Sequence, residues 1–131
     1  MANISNETAK PASPVWTRPV RAPSGLELAA PEVIYEPQGV PAASAKTVRL
    51  RYVAPEIGDS LQFGFDRVER DFSYLCETHG LAIVAMTAPQ AELVVISMAS
   101  KAISFGETAP DVVQFFEAFQ VVNGSCVWEG L

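Results

Sequence analysis

The segment Thr47-Val48-Arg49-Leu50-Arg51-Tyr52-Val53 (TVRLRYV) alternates strictly, with Val48, Leu50 and Tyr52 on one face and Thr47, Arg49 and Arg51 on the other. Side chains of an extended chain point to opposite sides with a period of two, so this pattern is a strand with one face in a core and the other in water. Further on the period changes. FDRVERDFSYLCETHG (residues 65–80) places Phe65, Val68, Phe72, Leu75, Cys76 and His79 in one helical stripe. Asp66 with Glu69 three residues later reads as a capping pair, and Gly80 stands where a left-handed C-terminal cap is wanted. These signals predict one main helix from about 66 to 79.

Working outward, EVIYE (32–36) reads as a short strand after Pro31, and GVPAASAKT as a loop. ELVVISM is a continuous apolar run, the pattern of a strand buried on both faces, and ISFGE reads as a further strand joined to it by the turn ASKA. The last segment has two readings. Val112, Phe115, Phe116 and Phe119 fit a helical stripe, with Thr108 and Asp111 as caps. Against this, Asn123-Gly124 between two β-prone runs is a hairpin signal, because a type I′ turn needs positive φ at both positions. Strands over about 114–129 follow, with Val121 facing Cys126 and Phe119 facing Trp128. The expected fold is α+β: an antiparallel sheet of five or six strands with the helix on one face.

Seven of the ten prolines fall in the first 41 residues. Residues 1–24 carry no apolar period and read as a disordered Pro-rich arm whose removal costs little stability, leaving residues 25–131 as a single domain. Trp16 is the exception in that arm. It is a candidate docking point for a partner or for the domain's own surface, weighed against a Trp that packs loosely.

With 131 residues, 49% of them apolar and 18% charged, the chain supports one core. A net charge of −6 sets the folded part against nucleic acid. Arg49, Arg51, Arg67 and Arg70 form a local basic patch only if their strand and helix are neighbours; the bland alternative is cross-strand charge pairing. The stretch LAIVAMTAPQA is broken by Pro89 and is shorter than the roughly 20 residues of a membrane span. The N-terminus has no apolar run of signal-peptide type, which makes the cytoplasm the default compartment.

Two constellations invite a catalytic reading. Gly58-Asp59-Ser60-Leu61 spells the signature of the GDSL serine hydrolases. A serine attacks only when a histidine takes its proton and a carboxylate orients that histidine. His79 is the one histidine, at the end of a helix, and the family's late Asp-x-x-His block is missing. Cys76 and His79, three apart on a helix, share a face. With Cys126 they are three of the four ligands of a zinc site, yet a fourth is not specified. Neither a metal nor a cofactor is therefore expected. The structural alternative places Cys76 and Cys126 on the apolar faces of their elements, pointing into one core, as a disulfide or as two buried thiols. The function expected is a non-enzymatic structural or protein-interaction module with another protein as partner. The alternative is a small hydrolase or thiol enzyme using Ser60 or Cys76 with His79.

RYVAPEI, the Leu75-Cys76 pair, VVISM, ISFGETAPD, QFFEAF and the closing Cys126-Val127-Trp128-Glu129 together resemble a small uncharacterised bacterial family of about this length. Its members usually begin with a secretory signal, and two cysteines in such a family imply a periplasmic disulfide. Here a Pro-rich arm stands in place of the signal. The family carries no established activity, so the resemblance implies no catalytic residue.

Overall fold

The computed structural model describes residues 13–130. Its element order is a short ladder of β1 (Val20–Arg21) and β2 (Glu27–Leu28), then β3 (Glu32–Glu36) and β4 (Thr47–Val53). A helical crossover follows, with α1 (Ser60–Phe63), α2 (Phe65–Leu75), a π-helical turn (Cys76–Gly80) and α3 (Leu81–Thr87). The chain ends with β5 (Leu93–Ala99), β6 (Gln114–Val122) and β7 (Ser125–Trp128). No helix among the described residues is long and apolar enough to cross a membrane.

The main sheet has five strands in the order β3-β4-β5-β6-β7. The class is α+β with one main helix, and the sheet is mixed rather than purely antiparallel, because β4 and β5 run parallel from Thr47↔Leu93 to Val53↔Ala99. A hairpin cannot make a parallel pair; a helical crossover returning to the starting end of the sheet does. The helices between β4 and β5 are that crossover.

One face of the sheet receives the helix. Val48, Leu50 and Tyr52 of β4 and Val94, Ile96 and Met98 of β5 are all buried there, against Val68, Phe72, Leu75 and Ile83. The helix is longer than its stripe predicts. Gly80 is not a C-terminal cap: its φ of −61° and ψ of −49° are right-handed helical, and α3 continues to Thr87. The glycine serves a close approach instead, since a Cβ there would lie 3.1 Å from Val94 Cγ1 and 3.6 Å from Cys76 Sγ. The capping pair also moves. Gly64 precedes α2 and Asp66 falls inside its first turn, while Asp59 caps α1 by accepting from Leu61 N–H at 3.1 Å.

ISFGE is not a strand; residues 101–113 are a loop. β5 already has β4 on one side and β6 on the other, so no sheet edge is vacant beside it. The ambiguous C-terminal segment resolves as β6 and β7, with Val121↔Cys126 and Phe119↔Trp128. Asn123 (φ 52°) and Gly124 (φ 73°) supply the left-handed turn.

Residues 1–12 of the proposed arm lie outside the described residues; residues 13–24 are half exposed and contribute a few contacts to the domain. Ala22 is buried, and Trp16, half-buried on a 3-10 turn, packs on the domain's own core. Ser24 explains why this segment holds. Its N–H donates to Asp71 Oδ1 at 2.9 Å and its hydroxyl to Asp71 Oδ2. Arg67 donates twice to Ser24 O and lies over the Phe63 ring. Asp71 and Arg67, one helical turn apart, therefore strap the N-terminal segment across α2. Asp71 is fully buried, and burial pushes its carboxyl above the usual range, opposed by the Ser24 bonds and the charges of Arg70 and Arg67. Asp71→Ala leaves both Ser24 donors unpaired, and urea unfolding is expected to show a loss of about 1–3 kcal/mol.

Candidate functional site

The groups most able to do chemistry gather around the π-helical turn, which reaches Tyr52 of β4 through His79 and β7 through Cys76. Tyr52 is an inward position of β4, and its hydroxyl bonds His79 Nδ1 at 2.7 Å. The two rings stack with centroids 6.0 Å apart. His79 is fully buried and its Nε2 has no hydrogen-bond partner. Cys76, one helical turn before it, is bonded to Cys126 on β7, with Cα atoms 6.3 Å apart. A π-helical turn holds an extra residue, which keeps Cys76, His79 and Gly80 all on the buried side.

This arrangement restrains rather than reacts. Both sulfurs are consumed in the disulfide, and the imidazole has one nitrogen occupied by a phenol and the other enclosed. Burial pushes the Tyr52 hydroxyl far above its ordinary range and holds His79 below its own. Ser60 lies elsewhere in the chemistry of the molecule: it is exposed on the four-residue helix α1, whose cap is Asp59. The GDSL tetrapeptide is thus a turn and a helix start. Among the described residues no group of three His, Cys, Asp or Glu is placed to hold a metal ion.

The pH consequence has a definite sign. A histidine whose pKa is depressed on folding stabilises the fold above its ordinary value of about 6.5, and that contribution is lost as pH falls from there through the lower folded value. Stability is expected to drop by up to about 1.4 kcal/mol per pH unit below that point. The raised Asp71 acts in the opposite sense, its favourable contribution fading as pH rises above about 3.9. The readout is therefore the difference between wild type and His79→Gln, measured by urea unfolding from pH 7.5 to 5.0. The variant is expected to lack the histidine slope.

The four arginines do not form one patch. Arg49 pairs with Glu36 at 2.6 Å and Arg51 with Glu32 at 2.7 Å across the β3–β4 ladder, and both guanidinium groups lie against the Phe105 ring. Arg67 serves the N-terminal strap.

The aromatic residues of the hairpin divide between environments. Phe119 is buried, and Phe115 meets Phe65 edge-on with centroids 5.4 Å apart. Phe116 and Trp128 are 54% and 62% exposed, with Val122 and Val127 at 42% and 46%. Strand alternation sends Phe116 to the helix-free face, whereas Trp128, opposite Phe119 on the edge strand, is on the helix side and borders a groove with Glu69 and Arg70 of α2, its indole N–H donating to Glu117 at 2.6 Å. The sequence signal available was the alternation itself, once β6 is known to be a strand.

A mixed five-stranded sheet, one crossover helix and a single bond from helix to edge strand define a small disulfide-tied α+β domain. The chain belongs to a family of unknown function (DUF6497), whose profile matches residues 2–131. No curated protein and no solved structure matches it.

Proposed function

We propose that the domain is a non-enzymatic protein-interaction module that binds another protein through the β6–β7 hairpin. The observation that carries this reading is the set of exposed apolar side chains on the hairpin, Phe116, Val122 and Val127 on its helix-free face and Trp128 on the opposite face of the edge strand. Apolar residues clustered at a sheet edge are the common form of a docking surface. The sequestered imidazole and sulfurs support the same reading, since they leave the exposed Ser60 without a general base. The Cys76–Cys126 bond favours an oxidising compartment for the folded protein.

The test is co-purification from the native cell with wild type and with Val127→Glu, an exposed change that leaves the core intact. A partner held by wild type and lost by the variant supports the module. Ser60→Ala is expected to leave any activity of the pure protein unchanged. Hydrolysis of an ester by the pure protein that this substitution abolishes would overturn the reading in favour of the serine enzyme.

A further inference from the structure

The helix-free face of the sheet carries a pocket that packing does not explain. The loop between β5 and β6 is pinned at its two ends, Ser100 N–H donating to Val113 O at 2.9 Å and Val113 N–H donating to Ser100 Oγ at 3.0 Å. Between these pins it arches over the strands and borders a partly open cavity of about 290 Å³. That volume is at the lower end of the range for small-molecule sites.

The chemistry of the lining is specific. Ser97 is the one hydroxyl in the apolar run LVVISMA, only 7% exposed, and the register sets it between Arg51 and Phe116. Arg49 also lines the cavity. Its bond to Glu36 is made by Nε, so the four N–H groups of its two terminal nitrogens remain for another acceptor. Arg51 is committed through both terminal nitrogens, to Glu32 and to Ile103 O. Both guanidinium groups lie over the Phe105 ring, with Cζ atoms 5.7 and 5.4 Å from the ring centroid, within cation–π range. Phe105 and Phe116 are the aromatic lining, and Gln114 adds an amide.

We propose that this cavity binds a small carboxylate with a flat apolar body. The carboxylate takes the paired N–H groups of Arg49 and the Ser97 hydroxyl, and the body lies between Phe105 and Phe116. A planar guanidinium matches the two oxygens of a carboxylate, which an ammonium does not. The aromatic walls select a ring over a chain. Glu107, exposed on the loop and also lining the cavity, opposes an anion and gives the site a diagnostic response. This site shares Phe116 with the hairpin docking surface, but Val127 does not line it, so Val127→Glu leaves it intact.

The probe is 3-phenylpropionate, titrated against the full chain and followed by backbone amide shifts. Saturable shifts confined to the stretches around Ser97, Phe105 and Phe116 are expected, with the uncharged 3-phenylpropanol bound at least about tenfold more weakly. Arg49→Gln, and Arg49→Lys with its charge kept, are each expected to weaken binding by about tenfold or more. Because the first also frees Glu36, the exposed Glu107→Gln provides a variant with no structural role, expected to tighten binding by about two- to fivefold. Shifts that fail to saturate at tens of millimolar, equal binding of the alcohol, or an affinity unchanged in Glu107→Gln would each overturn the proposal.

Discussion

Removing the Cys76–Cys126 bond, as Cys76→Ala/Cys126→Ala, is expected to lower the free energy of unfolding by about 4 kcal/mol. The bond closes a loop of 50 residues in sequence. In the chain-entropy account, a cross-link of that span removes about this much conformational freedom from the unfolded chain. Its placement makes the effect local as well. Cys76 is at the centre of the helical crossover and Cys126 is on β7, the four-residue edge strand, whose other neighbour is β6 alone. Without the bond, β7 keeps its ladder to β6 and the Trp128–Glu117 hydrogen bond, and little else. Hydrogen exchange in the double variant is expected to accelerate first at β7 and the facing half of β6, with β4 and β5 still protected. A loss under about 1 kcal/mol with unchanged protection of β7 would show that the hairpin holds itself in place.

Phe72→Ala is the second large effect, expected to cost about 3–5 kcal/mol and to lower the melting temperature by on the order of 10 °C. Phe72 is fully buried on the stripe of α2 that faces the sheet, with Phe65 tilted beside it at 6.2 Å between centroids. Phe65 in turn meets Phe115 of β6, so truncation opens a void along the seam between helix and sheet. Phe72 also lines the groove bounded by Glu69, Arg70 and Trp128. Phe72→Leu, which keeps much of the volume, is expected to recover most of the stability. Equal losses for the Ala and Leu variants, in calorimetric melting, would place Phe72 outside the packed core.

The histidine shows how far chemistry can be read from type and spacing. Cys76 and His79 at i and i+3 signalled a shared helix face, and the fold keeps them on one. Only the partner brought by β4 decides what the face does. Tyr52 was legible as an inward residue of its strand, but its hydroxyl meeting His79 depends on the parallel placement of β4 against the crossover. The reactive reading of Ser60 fails for a similar reason: four local residues fix a turn and say nothing about which side chains arrive from elsewhere.

Local periodicity determined much of this protein by itself. The alternation of TVRLRYV, the stripe from Phe65 to Cys76, and the left-handed turn at Asn123-Gly124 are set by covalent geometry and by burial of one face, and each survives in the structure with its register. Three features were decided only by tertiary structure. The parallel pairing of β4 with β5 follows from the crossover helix, a relation between elements that no window of sequence contains. Gly80, which reads locally as a stop, is right-handed helical and carries the chain into α3, packed closely against Val94. The segment from residue 13 to 24 has no apolar period, and its link to the helix is Ser24 meeting Asp71 and Arg67, 47 and 43 residues away along the chain. Contacts of that separation carry no local pattern, so only the closed fold reveals them.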